Sequence, residues 1–208
     1  MSQVFVSMGM SLDGCVEGPN ASLGNVGGDG WSDLHAWVFQ QRGFRRRLKL
    51  GEGGDTGPDN QFLEGIFDRT GVSIMGKRMF ELGERAWPEE APFHTPVFVV
   101  THEVRTPWVR PGGTTFHFVN AGIDEALSRA REVSGGKDVR ISGGANLVTQ
   151  YVNAGVVDEL VLSVAPTLLG AGKRLFDGID ASAVGLEIIE VIGSPQVTHL
   201  RYRVKNKR

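Results

Sequence analysis

The 208-residue sequence contains a single cysteine, Cys15, and no apolar stretch long enough to cross a bilayer. One cysteine cannot form an intramolecular disulfide, and the few histidines are too scattered for a metal site, so no bound metal is expected. A membrane helix needs about 20 consecutive apolar residues, so no membrane partner is expected either. The first residues lack the basic segment of a signal peptide, which favours a cytoplasmic protein.

An excess of positive charge is also missing, since the formal net charge is −2. Binding to phosphate backbones requires clustered lysines and arginines, so nucleic acid is not an expected partner. The exception is the basic run at residues 42–49 (RGFRRRLK), which carries one aromatic residue, Phe44. Such runs are usually solvated surfaces, and binding of nucleic acid or of an anionic substrate stays open as the alternative.

Strand-like and helix-like segments alternate along most of the sequence. Apolar runs at 4–8, 72–75, 97–100 and 139–142 indicate buried strands, and helical spacing of apolar residues indicates helices at 61–70 and 123–133. This alternation predicts an α/β domain over residues 1–208, with a mostly parallel sheet flanked by helices. Two further apolar segments, at 186–192 and 197–204, predict a C-terminal antiparallel hairpin.

Glycines and polar residues dominate the range 17–59, which only a more apolar piece at 34–39 interrupts. We expect this range to form a long Gly-rich loop insertion. Connections of this length inside a compact domain usually bind ligands or cover a site.

Three motifs that follow predicted strands could bind an anion. Gly143-Gly144 opens a helix after the strand at 139–142, and backbone N–H groups at a helix N-terminus suit a phosphate; a simple turn of the chain is an equal alternative. The other motifs are Met75-Gly76-Lys77-Arg78, alternatively a solvated helix start, and Thr101-His102, alternatively a strand-end turn. In open α/β sheets, ligands bind at the carboxyl ends of strands.

Five motifs in this order resemble the dihydrofolate-reductase-like proteins, in particular the reductase domain of the riboflavin-biosynthesis deaminase-reductase and its stand-alone members. They are Ser11-Leu-Asp-Gly14, the segment 72–80 (VSIMGKRMF), the segment 96–102 (PVFVVTH), the segment 141–147 (ISGGANL) and the segment 157–176 (VDELVLSVAPTLLGAGKRLF). The resemblance implies a three-layer fold with a central mixed sheet of about eight strands. It also implies a homodimer that forms through the C-terminal strands.

The same resemblance implies NADPH as the cofactor, bound across strand ends, and hydride transfer to a heterocycle. The pyrophosphate would lie against Gly143, Gly144, Ala145, Asn146 and Leu147, where the family often has a cis peptide between the glycines. The cofactor's phosphates would also meet Gly76, Lys77 and Arg78, and the adenosine 2′-phosphate would meet Thr101 and His102.

By the same resemblance, two carboxylates are candidate catalytic residues. Asp59 falls near the position where folate reductases orient the pterin, although it could equally cap the helix that follows. Asp13 is expected closer to the nicotinamide, where it acts through a water or closes a turn.

The expected acceptor is a pyrimidine-like or pterin-like heterocycle, with the reduction of 5-amino-6-(5-phosphoribosylamino)uracil as the leading reaction. A dihydrofolate reductase and a non-catalytic nucleotide-binding dimer are the alternatives, because fold does not fix function. No deaminase domain with zinc-binding His and Cys is present in the sequence. Trp31, Trp37 and the arginines at 45–47 lie in the insertion, where aromatic rings could stack on a flat acceptor.

Overall fold

The computed structural model describes residues 2–206, and within this range it has six α-helices and eleven strands. The helices are α1 (Trp31–Gln40), α2 (Arg42–Arg47), α3 (Pro58–Arg69), α4 (Lys77–Ala86), α5 (Ile123–Val133) and α6 (Ala145–Asn153). The strands are β1 (Val4–Ser11), β2 (Cys15–Glu17), β3 (Thr70–Gly76), β4 (Val97–Val100), β5 (Trp108–Val109), β6 (Thr115–Val119), β7 (Asp138–Gly143), β8 (Glu159–Ala165), β9 (Lys173–Arg174), β10 (Val184–Gly193) and β11 (Thr198–Asn206).

Nine strands form the main sheet in the order β10-β11-β8-β1-β7-β3-β4-β6-β5, and β2 pairs with β9 separately. The six central strands from β8 to β6 are parallel to one another, whereas β11, β10 and β5 join antiparallel. The predictions of an α/β fold, a mostly parallel sheet and a C-terminal antiparallel hairpin are therefore confirmed. The sheet exceeds the expected eight strands because the two-residue β5 is added at its edge.

Helices cover both faces of the sheet, which gives three layers. Val6, Ile74 and Ile141 point from adjacent strands into a core shared with α5 and α6. Phe5 and Val161 point to the opposite face and pack with α3. Because the central strands are buried on both faces, their sequences are nearly continuous apolar runs, and this is the pattern that identified them.

Residues 17–59 are not the long loop that their glycine content predicts. They contain α1 and α2, and α3 already begins at Pro58, where proline suits the first turn of a helix. Leu34, Trp37 and Val38 have the spacing of one helix face, and all three are buried. Since α1 packs on β1 and β8, this segment is a folded cover over part of the sheet.

A buried carboxylate joins the strands at the edge of the sheet where β8 begins. The Glu159 side chain is only 4% exposed, and it accepts hydrogen bonds from Arg69 at 3.0 Å and Arg201 at 2.8 Å. Burial raises the pKa of Glu159, but the bonds from Arg201 and Arg69 outweigh it and bring the pKa below its usual value. This cluster lies at the end of the strands opposite the carboxyl edge and links α3, β8 and β11.

Candidate functional site

Two helices begin side by side at the carboxyl edge of the parallel strands. Gly76 ends β3 and is the N-cap of α4, while Gly144 follows β7 and is the N-cap of α6; no side chain caps either helix. The strands are neighbours, and a Cβ added to Gly76 would lie 3.9 Å from both the Gly143 oxygen and the Gly144 nitrogen. Uncapped helix N-termini offer N–H donors and a positive dipole end, so this corner suits an anion.

Gly143 has a backbone conformation that favours glycine. Its φ is +111°, and it is joined to Gly144 by a cis peptide bond. A Cβ at Gly143 would lie 2.8 Å from the sulfur of Met8 on β1, so a side chain has no room here. Around Gly144 nothing lies within 4 Å of an added Cβ, which leaves open space at the start of α6.

The first residues of α6 differ in the groups that they can offer to a ligand. Leu147 donates its N–H to the Gly144 carbonyl at 3.0 Å, and its side chain is buried in the core together with that of Ala145. Asn146 is exposed, and its Oδ1 accepts a hydrogen bond from Gln150 at 2.8 Å. Ala145 and Leu147 can therefore offer a ligand only backbone groups, whereas Asn146 also has a side chain at the surface.

The predicted cations, Lys77 and Arg78, open α4 at this corner, and both are engaged in ion pairs. Lys77 Nζ lies 2.6 Å from Glu103, and Arg78 lies 2.9 Å from Glu17. The hydrogen bond with Glu103 raises the pKa of Lys77. Lys77 is 42% and Arg78 62% exposed, and exposed ion pairs are weak because solvent screens them, so a phosphate could exchange for either carboxylate.

Thr101 and His102 lie one strand further along the same edge. They follow β4, whose Val100 pairs with Gly76 of β3. The Thr101 side chain is buried, and its Oγ1 accepts a hydrogen bond from the Glu103 N–H at 3.1 Å, whereas His102 is exposed. The three predicted anion motifs thus follow three neighbouring strands.

Asp59 lies apart from this corner, in a buried chain of hydrogen bonds beside β8 and β11. Its Oδ1 is 3.1 Å from Nε2 of His199, and its Oδ2 accepts a hydrogen bond from Ser194 at 2.8 Å. Nδ1 of His199 is 2.9 Å from the hydroxyl of Ser163. Asp59 does not cap α3, because the N-cap residue is Gly57 and no side-chain hydrogen bond caps this helix.

The protonation of this chain follows from its burial. His199 is 1% exposed and stacks on Phe62, with ring centroids 3.9 Å apart, and Trp37 meets it edge-on at 5.0 Å. Burial lowers the pKa of His199 against the opposing effect of Asp59. A neutral ring that donates Nε2–H to the Asp59 carboxylate leaves Nδ1 to accept the proton of Ser163.

Asp13 closes a turn at the carboxyl end of β1. Its carboxylate accepts hydrogen bonds from the Ser11 hydroxyl at 2.5 Å and from the N–H groups of Leu169 at 3.1 Å and Gly170 at 2.8 Å. The bond from Ser11, followed by those from Leu169 and Gly170, lowers the pKa of Asp13 to about 2. Asp13 is therefore ionised near neutral pH, and its geometry favours the turn-closing alternative; a catalytic role stays a prediction.

Sequence reasoning missed the residues that surround Asp59. Gly9, Ser163 and His199 are paired across β1, β8 and β11 and face the same side of the sheet, under α1. On α1, His35 stacks on Trp31 with ring centroids 4.2 Å apart, and a Cβ added to Gly9 would lie 3.4 Å from His35 Nε2. The signal available in the sequence was a histidine, His199, within the predicted strand at 197–204.

A pocket of about 370 Å³ lies beside α1. Its walls include Asp33 and Trp37 from α1, Pro166 and Thr167 after β8, and Gln196 in the β10–β11 turn. Trp37 thus separates this pocket from the ring of His199, which it contacts edge-on.

The basic run at 42–49 is largely engaged within the protein. Arg45 donates to the carbonyls of Gly53 and Leu50, and Arg47 donates to those of Pro92 and Phe93. Arg46 and Lys49 form ion pairs with glutamates. Within residues 2–206, no helix is long and apolar enough to cross a membrane, and no group of three His, Cys, Asp or Glu side chains is placed to hold a metal ion.

The fold defines a dihydrofolate-reductase-like protein. A dihydrofolate reductase from Enterococcus faecalis, complexed with NADP(H), superimposes with a TM-score of 0.55 at 13% identity over 99% of this chain and 97% of that one. The sequence matches the RibD C-terminal domain family over residues 2–200, and the chain belongs to that family. The resemblance that the five motifs indicated is therefore confirmed.

Solved structures give the same fold at low identity. A riboflavin biosynthesis protein from Shewanella sp. PV-4 has a TM-score of 0.67 at 17% identity, over 99% of this chain and 100% of that one. A deaminase and 5-amino-6-(5-phosphoribosylamino)uracil reductase from Thermotoga maritima has a TM-score of 0.59 at 12% identity, with 97% of this chain and 56% of that chain covered.

Curated relatives match over short stretches. The Bacillus subtilis protein YyaP is 44% identical over 59 residues, which are 28% of this chain and 31% of that protein. The riboflavin biosynthesis protein RibD of Corynebacterium ammoniagenes is 46% identical over 52 residues, which are 25% of this chain and 15% of that protein. These matches span less than a third of either relative.

Proposed function

We propose that the protein is an NADPH-dependent reductase of a pyrimidine-like or pterin-like heterocycle, most similar in activity to a 5-amino-6-(5-phosphoribosylamino)uracil reductase. Membership of the RibD C-terminal domain family supports an oxidoreductase. The observation that carries the cofactor proposal is the meeting of two uncapped helix N-termini at Gly76 and Gly143-Gly144.

The residues at this corner fit a dinucleotide. A pyrophosphate needs N–H donors and close backbone approach, and the open space beside Gly144 together with the start of α6 offers both. Lys77 and Arg78 supply positive charge at the adjacent helix start, and Thr101 and His102 extend the site by one strand toward a 2′-phosphate. When bound, NADPH supplies a hydride from its nicotinamide ring.

The acceptor is proposed to bind at the part of the sheet edge that lies away from these phosphate sites. The Thermotoga maritima neighbour is described as a reductase of 5-amino-6-(5-phosphoribosylamino)uracil, and this substrate is the leading candidate for the chain. Its flat ring would suit the region beside Gly9, where Trp31 and His35 stack. The arginines at 45–47 are less suited to a substrate phosphate, since they bond within the protein.

Dihydrofolate reduction is the alternative, and it requires contact between Asp59 and the pterin. The two oxygens of Asp59 already bond to His199 and Ser194, so this contact would need the buried chain to rearrange. That observation ranks dihydrofolate below the pyrimidine. A non-catalytic nucleotide-binding protein is the outcome if NADPH binds and no acceptor is reduced.

We also propose that the chain acts in the cytoplasm as a homodimer formed through its C-terminal strands. β10 is the outer strand of the sheet, and it exposes a row of large apolar side chains: Leu186, Ile188, Ile189 and Val191. An exposed apolar edge strand invites pairing with a second chain.

Two measurements test the reductase proposal. Titration with NADPH and with NADH, followed by tryptophan fluorescence, should show tighter binding of NADPH; equal or absent binding would remove the cofactor assignment. NADPH oxidation should then be followed by absorbance at about 340 nm, with 5-amino-6-(5-phosphoribosylamino)uracil and with dihydrofolate in parallel. We expect oxidation with the pyrimidine, and oxidation with dihydrofolate alone would favour the alternative.

A further inference from the structure

The chain Ser163–His199–Asp59 has a defined direction and an end next to Gly9. His199 Nε2 lies 3.1 Å from the Asp59 carboxylate and Nδ1 lies 2.9 Å from the Ser163 hydroxyl, so in the Nε2–H tautomer Asp59 accepts from His199 and His199 accepts from Ser163. Ser163 pairs with Gly9 of β1 on the same face, and a Cβ added to Gly9 would lie 4.0 Å from the Ser163 carbonyl. Gly9 is partly exposed, and the His35 ring of α1 lies on one side of it, with Nε2 3.4 Å from the position of an added Cβ.

We propose that this chain is a proton relay, in which the Ser163 hydroxyl donates the proton that completes reduction of an acceptor lying over Gly9. The inference rests on the proposed reductase function and assigns Ser163 as a catalytic residue, with His199 and Asp59 as positioning residues that supply its proton. The relay is separate from the anion sites at Gly76 and Gly143-Gly144, because those sites lie on the other side of β1.

The proton movement balances the reduction. Hydride addition forms a C–H bond at the electrophilic carbon of a C=N or C=O group and leaves a pair of electrons on its nitrogen or oxygen. The Ser163 O–H bond breaks as the acceptor's N–H or O–H bond forms, and Ser163 recovers a proton as the Nδ1–H bond of cationic His199 breaks. His199 returns to its neutral state and is recharged by a solvent proton that enters through Ser163 after the product has left. One hydride and one proton are thus consumed in each reduction.

Asp59 makes the cationic state of His199 accessible. A buried imidazolium is costly without a partner, and Asp59 raises the pKa of His199 against the lowering effect of burial. The aromatic rings of Phe62 and Trp37 exclude water from His199, so its proton leaves through Ser163 rather than directly to solvent. The other titratable side chains on α1, α3, β8, β10 and β11, the elements around His199, are Asp33, His35, Asp68 and Tyr202, together with eight that are held in ion pairs: Glu64, Arg69, Glu159, Glu187, Glu190, Arg201, Arg203 and Lys205.

The direction in which kcat depends on pH follows from the protonation of His199. The relay is loaded when His199 carries a proton, so kcat should fall as pH rises through the pKa of the coupled His199–Asp59 pair. Asp59→Asn keeps a hydrogen-bond acceptor for Nε2 but removes the charge. It should therefore shift the fall in kcat to lower pH without changing NADPH affinity.

The experiment compares wild type, Ser163→Ala and Ser163→Thr, with Ser73→Ala as a control at a buried serine of β3. Turnover is measured with NADPH and 5-amino-6-(5-phosphoribosylamino)uracil from about pH 5 to pH 9. NADPH binding is measured separately by fluorescence. Ser163→Ala should lower kcat about 10²-fold, the lower end for general acid catalysis, and lose the pH dependence, with unchanged NADPH affinity. Ser163→Thr and Ser73→Ala should retain kcat.

A second readout is independent of turnover. Nitrogen-15 NMR of the histidines at neutral pH should show His199 as the Nε2–H tautomer, and the Nδ1–H tautomer would overturn the relay. Wild-type kcat and pH profile in Ser163→Ala would overturn the relay while leaving the reductase proposal intact. A wild-type protein that binds no NADPH and reduces no acceptor would overturn both.

Discussion

Replacement of Gly143 by alanine should destabilise the protein and weaken NADPH binding together. The φ of +111° lies in a region that disfavours side chains, at a cost of about 1–2 kcal/mol. The new Cβ would also lie 2.8 Å from the Met8 sulfur and 3.0 Å from its terminal carbon, and overpacking costs about 1–3 kcal/mol. The two costs together give an expected loss of about 2–5 kcal/mol. Movement of the flexible Met8 side chain brings the loss toward the lower value.

Urea unfolding followed by fluorescence measures this loss, and a domain of this size should melt roughly 4–20 °C lower. Gly65→Ala is the matched control, because Gly65 lies inside α3 with nothing within 4 Å of an added Cβ. That change should stabilise the protein by about 0.5–1 kcal/mol. Wild-type stability in Gly143→Ala would refute the steric reasoning, and wild-type NADPH affinity in a folded Gly143→Ala protein would refute the assignment of this corner to the cofactor.

Three further predictions address charge and assembly. Alanine at both Lys77 and Arg78 should weaken NADPH binding at least about tenfold and make the remaining binding less sensitive to salt, as titration at two ionic strengths would show; an unchanged affinity removes both from the site. Glu159→Gln should cost about 1–3 kcal/mol in urea unfolding at pH 7, because the buried side chain loses the charge to which Arg69 and Arg201 bond, while these arginines keep Asp138 and Glu190 as partners. The pKa of Glu159 is lowered in the fold, so its stabilisation is present above the unfolded-state pKa and lost as pH falls through the folded-state value; the variant should lack that acid-side decline. Ile188→Glu on β10 should convert the proposed dimer to a monomer in light scattering, and a wild-type monomer contradicts the dimer.

The geometry of the proposed cofactor corner was predictable because its signals are local. Glycine after an apolar strand and before a helix predicts a helix N-terminus at the sheet edge, and parallel pairing then places Gly76 beside Gly143-Gly144. The helix α1 was missed although Leu34, Trp37 and Val38 have helical spacing, because glycines on both sides dominated the composition of 17–59.

The surroundings of Asp59 were not predictable in the same way. Asp59 is separated from His199 by 140 positions and Ser163 from His199 by 36, so the contacts depend on the register of β8 and β11. A shift of one residue in either strand would turn Ser163 or His199 to the opposite face. Sequence spacing carries no information about such a register, which is set by packing of the whole sheet.

Under the proposed function one sheet edge serves two ligands, and the position of β1 between β7 and β8 separates them. On the β7 side, Met8 fills the space above Gly143, and the donors are backbone groups whose chemistry does not depend on side chains. On the β8 side, Gly9 is partly exposed, and the nearby groups are the side chains of Ser163 and His35. Substitutions in α1 can therefore alter the acceptor side without disturbing the phosphate side. We expect the acceptor, rather than the cofactor, to be the property that the folded segment between β2 and α3 determines.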